Sequence, residues 1–212
     1  MADLPFALPA PLADRLRAAA DVEGKIPRVL DELGHLAGSD VGLLDVPPGP
    51  LRDRLAAFQP GIRDLALTSP FSLAADDASL DVLAGMWTGF HGADGGELVE
   101  ADRVLRPGGR LLLVHDYGRD DVSALVEPGS PVYGAWSRRD GPFLAGGGFR
   151  IRVVHCFWTF EALEEAREFL AEAFGERGET VGAGLRRPRL AWNVAIYHRL
   201  RGGVAPATLP GR

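Results

Sequence analysis

Cysteine is almost missing from this chain: one residue in 212, Cys156, so no intrachain disulfide can hold the fold. It sits in the apolar stretch "IRVVHCFWTF", where a lone thiol reads as a small core hydrophobe rather than a nucleophile. Long apolar runs are missing too. None approaches the ~20 residues that cross a bilayer, so no membrane span or membrane partner is expected. The opening residues, "MADLPFALPAPLADRL", lack a basic n-region and carry three prolines; no signal peptide is expected, and the protein reads as cytoplasmic. Positive charge is in deficit, with 23 Lys and Arg against 29 Asp and Glu and a formal net charge of −6. A nucleic-acid partner is therefore not expected, and Arg186, Arg187 and Arg189 read as a solvated loop. Metal-ligand spacings, a G-x-G-x-x-G, a P-loop and a nucleophile elbow are all lacking. Their absence argues against a metal site and against nicotinamide or nucleoside-triphosphate chemistry.

What is present suits a soluble globular domain: 46% hydrophobic and 25% charged residues, in a length that fits one α/β domain. Residues 1–25 read as an N-terminal extension holding a short helix, "PLADRLRAAA", with Pro11 in its first turn. Residues 26–200 read as the main domain. Ile26, Val29, Leu30, Leu33 and Leu36 recur at helical spacing, with Gly38 as the stop. "VGLLDV" predicts a buried strand, "LRDRLAAF" a helix, "IRDLALTSP" a strand ended by Pro70, and residues 80–86 another strand. "GGELVEADRVL" predicts a helix. "RPGGR" predicts a turn in which Pro107 presets φ and Gly108 takes a positive φ.

"LLLVHDY" predicts a strand covered on both faces. After an irregular segment at residues 118–148, "FRIRVVHCFWTF" returns to strand. "EALEEAREFLAEAF" is an amphipathic helix stopped by Gly175. "RLAWNVAIYHRL" is a last strand, and residues 201–212 form a flexible tail. The alternation predicts an α/β fold: a three-layer, doubly wound, mostly parallel sheet. In such sheets ligands bind beyond the carboxyl ends of the strands.

Chemistry is therefore sought in the loops after Val46, Met86 and Val114. His115, Asp116 and Tyr117 follow the most apolar strand and are the candidate catalytic residues. A histidine beside a carboxylate suits a general base. Neighbours on a strand point to opposite faces, however, and a structural role in bonding loop backbone explains them equally. Trp87 either stacks on a ligand or packs over the sheet end. Asp76 and Asp77 are either ligand contacts or a polar turn. His155 lies within a strand and reads as a core or interlayer histidine. Trp136, Arg138 and Arg139 are either substrate-facing or plain surface.

"RVLRPGGRLLLV" at residues 103–114, preceded by "DDASLDVLAGMW", resembles the centre of the class I S-adenosylmethionine-dependent methyltransferases. With the flanking strands, the resemblance runs from about Ile26 to Arg199. It implies a Rossmann-like fold and S-adenosylmethionine as cofactor. It also implies contacts from Asp45 and Gly49 in the first loop, from Trp87 at the cleft, and from Asp76 or Asp77 near the adenine amino group.

The chain departs from the family in two places. Where relatives read "LDxGxGxG", Leu44, Asp45 and Val46 match the strand, but Pro47, Pro48, Gly49, Pro50 and Leu51 stand in the glycine-rich positions. The family's glycines let the main chain approach the methionine part of the cofactor. Proline adds a ring, fixes φ and deletes an N–H donor. The second departure is the acid that holds the ribose in the family. If "LALTSP" is the ribose strand, it ends in Thr68 and Ser69; if it is a later strand, the ribose strand is missing. The sheet is accordingly expected to be shortened around its second strand.

Two functions follow from the resemblance. The first is a degenerate member, a pseudoenzyme with an eroded S-adenosylmethionine site and an interaction or regulatory role. The alternative is an active S-adenosylmethionine-dependent methyltransferase acting on a small molecule. Loss of three donors, at ~1–3 kcal/mol for each unmet group, favours the first. A shortened sheet leaves part of a face uncovered, which suggests a homodimer.

Overall fold

The computed structural model describes residues 5–46, 48–59, 61–68, 71–91, 94–126 and 133–203. Pro47, Ser69, Pro70 and the tail from residue 204 onward lie outside the described residues.

The chain opens with α1 (Ala10–Ala19), which has proline in its first turn and buries Leu12, Ala13, Leu16 and Ala19. Next comes α2 (Lys25–Gly34). The Asp21 carboxylate caps it by accepting from the N–H groups of Lys25 at 2.9 Å and Ile26 at 2.8 Å. This helix ends before the expected Gly38, because His35 turns left-handed at φ 54° and Asp31 accepts the Leu36 N–H at 3.1 Å. The order then runs β1 (Val41–Leu44), α3 (Pro50–Ala56), β2 (Arg63–Leu65), β3 (Leu67–Thr68), β4 (Ser72–Leu73), β5 (Leu80–Met86), α4 (Gly95–Val104) and β6 (Leu105–Asp116). After short turns and a four-residue helix, α5 (Tyr133–Trp136), the chain finishes with β7 (Arg150–Thr159), α6 (Leu163–Gly184) and β8 (Arg189–Leu200).

Six strands form one sheet in the order β2-β1-β5-β6-β8-β7. The first four run parallel, and β8 is antiparallel to both β6 and β7. Side-chain alternation divides the core into two layers. Leu43, Val82 and Leu112 pack with Leu16, Leu30, Trp158 and Phe169 on one face. Leu44, Leu83 and Leu113 pack with Ala101, Val104, Phe143 and Tyr197 on the other. Helix α1 belongs to the first layer. Among the described residues, no helix is long and apolar enough to cross a membrane.

Three places differ from the sequence reading. "IRDLALTSP" is two elements. β2 pairs with β1, Leu44 beside Leu65, while β3 leaves the sheet to form a small hairpin with β4. The short β2 is thus the second strand of the sheet; among the described residues, no strand lies outside it. The "RPGGR" turn is absorbed into β6. Gly108 takes φ 83°, and the register jumps from Leu80 beside Leu105 to Val82 beside Arg110. Gly175, at φ 57° and ψ −139°, stops the first helical stretch of α6 as expected, but the chain then continues into further helix that the sequence reading lacked. A second helical stretch folds back on the first, with the Arg167 Nε donating to the Gly182 carbonyl at 3.1 Å.

This return depends on Gly178, where a Cβ would lie 1.8 Å from the Leu170 carbonyl oxygen. Gly178→Ala is expected to lower unfolding stability by at least ~1–3 kcal/mol, as overpacking does. Gly184→Ala has open space around its Cβ and should stay within about 0.5 kcal/mol of the native chain. Urea denaturation of both variants checks the difference.

Candidate functional site at the carboxyl edge of the sheet

The loops after β1 and β5 are bent into backbone that side chains rarely adopt. Asp45 has φ 45°, Trp87 φ 52° and Phe90 φ 51°. For bulky residues such geometry is an outlier, and such outliers gather where a chain is shaped for a site. Asp45 is exposed, but its carboxylate faces the Leu67 N–H, with both oxygens at 3.3 Å. Gly49 opens α3, and a Cβ there would meet Arg17 Cδ of α1 at 3.4 Å. Helix α1 therefore lies across the first loop. The space between them is a cavity of about 20 Å³ bounded by Arg17, Asp21, Leu51, Arg54, Trp87 and Trp192, among others. That is room for a water molecule.

Trp87 and Trp192 close this space by stacking, with ring centroids 5.3 Å apart and planes 17° off parallel. Trp192 reaches it from β8. Its indole Nε1 donates to Asp116 Oδ1 at 2.8 Å. Asp116 pairs in register with Val194, and Trp192 lies two residues along, on the same face. Burial pushes the Asp116 carboxyl up to about 7; Asp120 adds to the rise, and the Trp192 bond opposes it.

His115 points to the opposite face. It pairs with Ala195, and Tyr197 follows on its side. The imidazole is buried among Trp136 at 5.0 Å, His91 at 5.7 Å and Phe143 at 5.9 Å between ring centroids. Neither ring nitrogen has a hydrogen-bond partner among the described residues. Burial, with a smaller contribution from His91, pulls its pKa down to about 3. His115 is neutral at ordinary pH.

The sequence candidates thus separate into three groups. Asp45, Gly49 and Trp87 share the carboxyl edge with His115 and Asp116, but the last two lie on opposite faces of the sheet. Tyr117 is half-buried and donates its backbone N–H to the Asn193 carbonyl at 2.9 Å. Asp76 and Asp77 precede β5 at the other end of the strand. There Asp77 pairs with Arg103 at 2.7 Å, and the Asp76 carbonyl accepts from Ser79 Oγ at 2.7 Å.

Other residues also find their places. His155, expected as a core or interlayer histidine, is instead exposed on β7 and shares a 2.7 Å bond with Asn193 Oδ1. Cys156 is buried, and burial followed by Asp21 pushes its thiol well above the usual range. Arg138 and Arg139 are exposed, and Trp136 packs on His115. Trp192, Arg17 and Arg54 at the edge went unsuspected in the sequence. Their places depend on the β6–β8 register and on the docking of α1, which no local pattern encodes. Among the described residues, no group of three or more His, Cys, Asp or Glu could hold a metal ion.

His115 and Asp116 act on stability in opposite senses. Between about pH 3 and 6.5, the unfolded chain protonates the histidine and the native chain does not. Native stability therefore falls as pH falls, by up to ~1.4 kcal/mol per unit. Between about pH 4 and 7, the native chain keeps a proton on Asp116 that the unfolded chain releases, so stability falls as pH rises, with the same limiting slope. Asp116→Asn keeps an acceptor for Trp192 and should leave a protein that weakens toward acid. His115→Phe should leave one that weakens toward neutrality. Urea midpoints from pH 4 to 7 test both signs.

No protein-family profile matches the chain. Glutamate-1-semialdehyde 2,1-aminomutase from Roseiflexus castenholzii is 30% identical over 135 residues, covering 61% of this chain and 30% of that protein. The chain thus spans less than a third of that relative's length. Among solved structures, a protein from Anaeromyxobacter dehalogenans described as a type II methyltransferase aligns with TM-score 0.50 and 16% identity, over 82% of this chain and 95% of the other. A chain in the Haloferax volcanii complex of the Trm112 methyltransferase activator with its methyltransferase aligns with TM-score 0.40 and 17% identity, over 92% and 100%. The sheet order, the antiparallel last pair and the match to the Anaeromyxobacter protein place this chain in the fold of the class I S-adenosylmethionine-dependent methyltransferases.

Proposed function

We propose that this methyltransferase-fold protein carries a cofactor cleft closed by its own side chains, and that it acts as an interaction or regulatory module rather than by transferring methyl groups. One observation carries the reading: the cavity of about 20 Å³ where α1, the start of α3 and the two stacked tryptophans meet. A small-molecule site typically encloses ~300–1,000 Å³. Among the described residues that bound it, this space is too small for S-adenosylmethionine.

Four further features support the reading. The Asp45 carboxylate already faces the Leu67 N–H. After β2 the chain continues with Ala66, Leu67 and Thr68, which offer no carboxylate to a ribose. Pro48 and Pro50 flank Gly49 and supply no N–H donors. His115, held at about 3, lacks the proton affinity that a general base needs near neutral pH. The homodimer expected to cover a bare sheet face is not carried into the proposal; pairing through the β2 edge is opposed by its exposed Arg63 and Asp64, since charge at an edge blunts strand pairing.

Calorimetric titration with S-adenosylmethionine and with S-adenosylhomocysteine tests the reading. No saturable heat is expected below ~1 mM, a free energy of about −4 kcal/mol. A micromolar dissociation constant overturns it and restores the active methyltransferase. Light scattering at micromolar concentration should return the mass of a single chain; a dimer removes the edge argument.

A further inference from the structure

At the amino-terminal ends of the parallel strands, opposite the tryptophan pair, lies a larger cleft of about 470 Å³. Strand register builds it. Arg110 on β6 faces Leu200, His198 on β8 faces Leu112, and Arg150 on β7 faces His198, so all these side chains share one face. The lining contains Arg110, Arg150, Arg199 and His198 and no carboxylate.

The positive charge here is largely uncompensated. Arg199 is paired, through Asp102 at 2.6 Å, and Arg152 just beyond the lining meets Glu32 at 3.3 Å. Arg110 donates to the Leu33 carbonyl at 2.7 Å, a neutral acceptor. Among the described residues, Arg150 has no acid partner. His198 feels the surplus: after burial, Arg150, Arg110 and Arg152 are what hold its pKa below the ordinary value. In a chain of formal net charge −6, two guanidinium groups without an acid partner, on β6 and β7 to either side of β8, form a local exception. Arginine forks match phosphate oxygens, and rigid strand ends hold them in place.

We propose that this cleft binds a small phosphorylated molecule, a phosphomonoester, with its phosphate on Arg110 and Arg150 beside His198 and its organic part against Leu33 and Leu200. Leu200 is one of the few exposed large hydrophobic residues, at 53%, and it rims the cleft. The volume lies within the usual ~300–1,000 Å³ of small-ligand sites. None of these residues belongs to the carboxyl edge, so this inference and the closed-cleft reading stand or fall separately.

The test is a nuclear magnetic resonance titration of the full chain. The probes are inorganic phosphate and glycerol 2-phosphate, with sodium chloride as the ionic-strength control. The His198 ring signals, assigned with His198→Gln, should shift saturably with both phosphates, and the ester should bind more tightly. Arg150 is exposed, so Arg150→Glu should fold normally and weaken binding roughly tenfold or more, the loss of one charge-assisted contact. Arg110→Met should act likewise. Arg186→Glu, in a separate basic loop, should change nothing. The proposal is overturned if chloride reproduces the shifts, if Arg150→Glu binds as the native chain does, or if the ester binds no better than inorganic phosphate.

Discussion

The hydrogen bond from the Trp192 indole to the buried Asp116 carboxylate organises the carboxyl edge of this molecule. It holds an aromatic side chain of the antiparallel strand β8 over the end of the parallel strands. That position lets Trp192 stack on Trp87, and the stack meets α1 and α3 around a nearly filled cavity. The bond satisfies a carboxyl that burial would otherwise leave without a partner, at a cost of about 1–3 kcal/mol. Arg17 and Arg54 join the two tryptophans around that cavity.

The left-handed residues fit the same picture. Asp45, Trp87 and Phe90 adopt backbone that carries a cost for side chains with a Cβ. The bent loops direct Trp87 inward to the stack and Asp45 toward the departing β3 hairpin, so the strained geometry is tied to internal packing. The two faces of β6 show the same economy. One turns Asp116 toward tryptophan, and the other turns His115 into an aromatic cluster where it cannot hold a proton. A pair that reads as a catalytic dyad in one dimension is separated by the pleat in three.

Much of the scaffold was legible in the sequence. The strands over Leu80–Met86 and Arg150–Thr159 have apolar patterns that leave few alternatives, and the phrase at residues 103–114 marks the end of a helix and a central strand, though not that the strand absorbs the turn. The shortened second strand was legible as well, since a single run stood where more elements were expected. The site was less legible. Trp192 looks like any strand tryptophan until the register of β8 against β6 is known. Arg17 has no meaning for a loop 32 residues away until α1 docks. The second half of α6 escaped because "GERGETVGAG" has no apolar stripe; its packing comes from a glycine pressed on a carbonyl. Asp76 and Asp77 precede β5, so the strand separates them from the loops at its carboxyl end.

Helix α1 is anchored far from itself in sequence. The segment that carries it meets Trp158 of β7, which Phe6 approaches edge-on at 5.9 Å and Ala20 bridges through the backbone. Contacts between positions so distant along the chain carry a large loop-closure cost. The seating of α1 beside the first loop therefore depends on β7 being in the sheet, and loosening that outer strand would free the helix as well.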